Sequence, residues 1–178
     1  MAVVSAIQTH YDGFHFRSRL EARWAVFFNT AGIGWDYEPE GIVVTHRHRP
    51  IKYLPDFWLH TGQWAEVKGM LEPDRFIRLM AIANGLSDCG RGNDLVVFGD
   101  IPRSRDVRWP IQLHRHEGRL WGVPWHAGPE CPIPCRAIPE EKITMELLIA
   151  GFPAVMPEWA EDPMDRARMA RFEWGESG

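Results

Sequence analysis

The chain reads as an α/β protein of the α+β kind: a mixed β-sheet flanked by helices, with an added hairpin and helices towards its C-terminal end. Three observations predict this. A helix-start signal at Ser18 to Glu21 opens an amphipathic run, and two period-two segments meet across a turn at residues 60–63. Leu95-Val96-Val97-Phe98 is short and wholly apolar, as a strand covered on both faces must be. Strands alternating with helices in this way require a sheet with helices packed against it.

Ser18 and Glu21 have capping-box spacing. Leu20, Trp24, Phe27 and Ala31 supply the apolar stripe, and Gly32 stops the helix. Residues 33–37 and 42–45 read as short strands on either side of the turn-like Glu38-Pro39-Glu40-Gly41. Residues 53–59 then read as one strand, 60–63 as its turn and 64–69 as the returning strand. Asp74 predicts the cap of a helix reaching about Leu86, with Phe76, Ile77, Met80, Ile82 and Ala83 as its apolar face. After Pro102 the character changes. Residues 109–114 and 119–123 predict a second hairpin across His116-Glu117-Gly118, proline and glycine crowd residues 122–139, and residues 140–150 and 162–173 predict helices. The expected organisation is a core over residues 1–102 and an extension over residues 103–178 packed on it.

A chain of 178 residues with 9 Trp and 9 Phe can bury one sizeable core. No apolar run approaches the roughly 18 residues needed to span a bilayer, and the first residues do not read as an export signal, so no membrane partner and a cytoplasmic setting are expected. Three cysteines are too few for a disulfide framework and agree with a reducing compartment. A net charge of −4 opposes binding to phosphates, but the acidic excess lies after residue 128, where 5 Lys+Arg face 10 Asp+Glu. Two arginine clusters remain as candidate phosphate contacts: Arg17, Arg19 and Arg23, then Arg103, Arg105, Arg108, Arg115 and Arg119.

On a strand of period two, Glu66 and Lys68 project from one face and Val67 from the other, with Asp56 on the neighbouring strand able to face them. Converging carboxylates repel unless a cation lies between them, and hard divalent ions take oxygen ligands, so the arrangement predicts a metal. Glu21 can serve its own cap and still face a cleft. His114, His116, His126, Cys131 and Cys135 fall within about 22 positions and could ligate a structural zinc tetrahedrally. Their spacing is not that of a common finger, and strand histidines beside arginines suit a surface or phosphate-contacting role better.

Pro55-Asp56, nine intervening residues, then Glu66-Val67-Lys68 resembles the PD-(D/E)XK nuclease superfamily. Phe16-Arg17-Ser18-Arg19-Leu20-Glu21 is similar to the segment that supplies a helix acid in many members. Over about residues 14–99 the likeness is greatest to phage endonuclease I-type Holliday junction resolvases. The resemblance implies a restriction-endonuclease-like core and a Mg²⁺- or Mn²⁺-dependent deoxyribonuclease acting on duplex or branched DNA. It implies Glu21, Asp56, Glu66 and Lys68 as catalytic residues, and Asp56, Glu66, the Val67 carbonyl and Glu21 as metal ligands. Arg17, Ser18, Arg19, Arg103 and Arg105 would meet DNA. A junction cutter would also need two sites, hence a homodimer. The alternatives are a nicking enzyme, an exonuclease, or a non-catalytic nuclease-fold subunit of a transposition or defence complex.

Overall fold

The computed structural model describes residues 7–86, 92, 94–102, 108–126, 137–153 and 156–172. Strands β1 (Thr9–Tyr11) and β2 (Phe14–Phe16) form a hairpin ahead of helix α1 (Arg19–Thr30). Next come β3 (Trp35–Tyr37), a second hairpin β4 (Ile42–His46) and β5 (Arg49–Tyr53), then β6 (Phe57–Leu59) and β7 (Gln63–Val67). Helix α2 (Pro73–Gly85) leads to β8 (Leu95–Phe98), followed by β9 (Arg108–Trp109), β10 (Ile111–His116) and β11 (Arg119–Pro124). The remaining elements are β12 (Ile138–Pro139), α3 (Met145–Ala150), β13 (Phe152–Pro153) and α4 (Glu161–Met169).

One seven-stranded sheet carries the fold, in the order β12-β11-β10-β8-β7-β6-β3. Among the described strands of this sheet only β7 and β8 run parallel, because the chain between them crosses over through α2; the other neighbours are antiparallel. Both faces are covered. Ala65, Val67, Val96 and Phe98 pack with α1 and α4 around Trp24, Phe28, Trp125 and Met164. Trp64, Leu95 and Val97 turn the other way, onto Leu79, Ile82 and Ala83 of α2 and Leu148 of α3. Two-sided burial explains why β8 is apolar at every position. It also makes Glu66, buried in the middle of this sheet, a residue whose position needs a reason.

The N-terminal half of the expected plan holds in outline. Ser18 is the N-cap of α1, and Gly32 follows its end at φ +69°, a conformation that costs glycine little. Several boundaries differ. Residues 53–59 are not one strand: β5 ends at Tyr53, Leu54-Pro55-Asp56 break the ladder, and β6 starts at Phe57, because Pro55 has no N–H to donate. β4 pairs with β5 in a two-stranded hairpin outside the main sheet. The N-cap of α2 is Glu72 rather than Asp74, with Pro73 opening the helix, and Ile77 is 65% exposed instead of lying on the apolar face. Trp109 belongs to β9, separated from β10 by Pro110. Residues 140–150 are not one helix: a 3₁₀ turn at Glu140–Lys142 ends in extended Ile143, and Thr144 caps α3 afresh by accepting from the Leu147 N–H. The last helix stops at Met169.

The C-terminal hairpin is built into the same sheet, since β10 pairs with β8 in the register Ile111↔Val97. Trp109, Trp125, Met156 and Met164 enter the core beside α1.

Candidate active site

The β6–β7 hairpin pairs Phe57 with Ala65, and continuing that register sets Asp56 opposite Glu66. Side-chain alternation then turns Val67 into the α1-side core, while Glu66 and Lys68 line a cavity of about 320 Å³ on the α2 side. Lys68 lies just beyond β7, held by its N–H to the Phe98 carbonyl at 2.9 Å. Local pairing thus brings three of the four expected residues together.

Their contacts are specific. The Lys68 ammonium lies 2.7 Å from Glu66 Oε1, 3.2 Å from Asp56 Oδ2 and 3.1 Å from the Val67 carbonyl oxygen. Asp56 Oδ2 also accepts from the Val67 N–H at 2.7 Å, and Asp56 Oδ1 accepts from Arg17 Nη2 at 2.6 Å. The Tyr53 hydroxyl donates to Glu66 Oε2 at 2.8 Å. Every oxygen of the two buried carboxylates therefore has a partner, as burial of charge demands.

Glu21 stands one step away. Its Oε2 accepts from the Tyr37 hydroxyl at 2.7 Å and the Arg17 N–H at 3.2 Å, while its Oε1 accepts from the Ser18 hydroxyl at 2.8 Å. The Ser18 Oγ in turn accepts from the Glu21 N–H at 3.2 Å, so the serine is engaged in its cap. Arg17 links this group to the first, because its Nε pairs with Glu38 Oε1 at 2.8 Å while Nη2 reaches Asp56. No group of three His, Cys, Asp or Glu side chains able to hold a metal forms among the described residues. The converging oxygens are instead those of Asp56, Glu66 and a main-chain carbonyl.

The charges explain the protonation states. Burial first, and then the Asp56 charge, raise the Glu66 carboxyl above its ordinary value, against the pull of Lys68. Burial pulls the Lys68 ammonium down, but Glu66 and Asp56 outweigh it and hold the pKa above that of a free lysine. Lys68 is thus a cation across the neutral range. Burial, followed by the Glu66 charge, pushes the Tyr53 phenol well above its usual value, so it remains a donor.

The other expected contacts are spread out. Arg103, Arg105, Cys131 and Cys135 lie outside the described residues. Arg19 sits half-buried at the start of α1. His114 and His116 share one face of β10 with stacked rings, and His126 follows β11. His114 Nδ1 meets Asp94 Oδ1 at 2.6 Å, and that hydrogen bond raises the imidazole above its ordinary value despite burial. A raised folded pKa contributes stability that is fully present below the unfolded value near 6.5 and is lost as pH rises through the folded one. In melts across that window the wild type should lose up to about 1 kcal/mol of stability that Asp94→Asn does not lose, so the variant's stability varies less steeply with pH. Equal slopes would remove the pair as the cause.

Several residues at the site were not singled out from the sequence. Tyr53 and Tyr37 supply hydroxyls to the buried carboxylates, and Arg75 and Arg78 of α2 line the cavity beside Glu66. For Tyr53 a signal existed, as it stands two residues before the Pro-Asp break. Arg75 and Arg78 lie seven and ten residues past Lys68, and only the crossover places them.

No family model matches the chain, and no solved structure matches it. A stretch of 81 residues is 33% identical to the protein translocase subunit SecA of Trichodesmium erythraeum (strain IMS101), a likeness covering 46% of this chain. The chain spans 8% of the length of that relative.

Proposed function

We propose that this chain is a metal-dependent DNA endonuclease with a restriction-endonuclease-like core, hydrolysing phosphodiester bonds. One observation carries the reading: Asp56 Oδ2, Glu66 Oε1 and the Val67 carbonyl converge on a single point, where the Lys68 ammonium now lies within 2.7–3.2 Å of all three. The donors are hard oxygens with two negative charges, a set that suits Mg²⁺ or Mn²⁺. Asp56, Glu66 and the Val67 carbonyl would hold such an ion, which would activate a water and neutralise charge on the phosphate.

The rest of the chemistry belongs to the chain itself. Lys68, a cation in the metal-free site, would donate to the attacking water or to a phosphoryl oxygen once an ion takes its place among these oxygens. Tyr53 fixes the Glu66 rotamer and Val67 N–H that of Asp56. Arg17, whose side chain is 53% exposed, is placed to exchange Asp56 for a phosphate, and Glu21 positions it through the Arg17 N–H and Tyr37.

Purified protein is expected to cut DNA in Mg²⁺ or Mn²⁺, to stop in chelator and to resume when Mg²⁺ is restored in excess. Linear duplex, single strand and four-way junction compared side by side distinguish an endonuclease, an exonuclease and a junction resolvase. Cutting that persists in chelator, or no cutting of any of these substrates with either metal, would remove the reading.

A further inference from the structure

The β4–β5 hairpin stands outside the main sheet and packs on α2, the helix that also walls the Glu66–Lys68 cavity. Its two-residue turn is Arg47-His48, with φ of +49° and +62°. Such turns favour asparagine and glycine, since left-handed backbone costs other residues about 1–2 kcal/mol each. Here the tip carries His46-Arg47-His48-Arg49 instead, so cationic side chains sit where the backbone would favour small residues. Arg47 and Arg49 border a groove between the hairpin and α2. Lys52 follows along β5, and Arg78, donating to the Lys52 carbonyl, leads with Arg75 into the cavity beside Lys68.

All five of these cations are exposed, and none forms an ion pair with an acid among the described residues. The acids beside this path are Glu66, which lines the cavity with Arg75 and Arg78, Glu72 and Asp74 at the start of α2, and Glu140 beside the groove. Lys52, one position out of phase with Arg49 and Ile51, points to the opposite face of the hairpin, but Arg47, Arg49, Arg75 and Arg78 line the groove and the cavity on the α2 side and, in a chain of net charge −4, make that side locally positive and attractive to anions.

We propose that the β4–β5 hairpin and the outer face of α2 form a phosphate track for one strand of a DNA duplex leading away from the Asp56–Glu66–Lys68 site. The proposal rests on the nuclease reading for the position of the scissile phosphate, and on the hairpin itself for the track. From Arg49 to Tyr53 the strand rises about 13 Å, roughly four base-pair steps of about 3.4 Å. The contacts are to the backbone, so the track binds without reading sequence.

The full-length chain is titrated with a fluorescein-labelled duplex in chelator, so that nothing is cut, and anisotropy is followed over a range of salt. Each phosphate contact contributes about 0.9 to the slope of log K against log salt. The double variant Arg47→Ala/Arg49→Ala should lower the slope by about 1.8 and Arg75→Ala by about 0.9, while Arg166→Ala on α4 leaves it unchanged. All these side chains are exposed, and circular dichroism confirms folding. Unchanged slopes in the hairpin and Arg75 variants overturn the track, as does a wild type that does not bind duplex. A double variant that changes oligomeric state in size-exclusion chromatography while keeping the wild-type slope overturns it in favour of a contact between copies. Binding with the expected slopes but no cutting in Mg²⁺ removes the nuclease reading and leaves the track standing.

Discussion

Lys68→Ala and Asp56→Ala are each expected to lower DNA cutting by at least about 10²–10³-fold, the usual cost of losing one preorganised donor or ligand at a site of developing charge. In the metal-free site Lys68 is held as a cation by Glu66 and Asp56 in spite of its burial, so its loss removes a positive charge and a hydrogen-bond donor beside the carboxylates. Asp56 has a different role: it anchors Arg17, the Val67 N–H and Lys68 together, and alanine releases all three. Folding should survive both changes. In Lys68→Ala the remaining carboxylates repel, but Glu66 already has a raised pKa and can take up a proton to relieve them. Single-turnover cutting, with circular dichroism on each variant, makes the comparison; wild-type rates in either would remove that residue from the mechanism.

The largest stability effect is expected at Trp125, far along the chain from the site. Trp125 is 2% exposed and packs on Phe27, Phe28, Phe98 and Trp109, with its indole N–H donating to Gln63 Oε1 at 3.0 Å. Trp125→Ala leaves a large cavity and removes a hydrogen bond to a buried amide. Such changes cost about 3–5 kcal/mol, which for a chain of this size shifts the melting temperature on the order of 10 °C. Because Trp125 joins residues after 102 to α1 and β8, the whole molecule should melt in one transition that shifts together. A loss below about 1 kcal/mol, or a shift confined to a separate minor transition, would mean that the C-terminal hairpin is not part of the common core.

The candidate site was legible because its geometry is local. A hairpin with a short turn sets Asp56 across from Glu66, and strand alternation sends Lys68 to the same side as Glu66; neither step needs the rest of the molecule. The Ser18–Glu21 cap is equally local, as is β8, whose unbroken apolar run declares burial on both faces. The β1–β2 hairpin escaped although Asp12-Gly13 marks its turn, and other features escaped because their usual markers are missing. The β4–β5 turn has no glycine or asparagine, so residues 46–52 read as no element and Tyr53 alone joins the segment after Pro55. Ile77 sits at helical spacing from apolar neighbours, yet the groove beside the hairpin leaves it exposed.

Residue pattern alone therefore determined α1, α2, β8 and the grouping of Asp56, Glu66 and Lys68, since helix periodicity, hydrogen-bond register and side-chain alternation act over a few residues. Only the tertiary structure decided that Tyr53 and Arg17 complete the carboxylates' hydrogen bonding, that α2 brings Arg75 and Arg78 to the cavity, and that β10 docks on β8. Those contacts join residues far apart in the chain, and their placement follows from how whole elements bury their apolar faces against one another, which no short window of sequence contains.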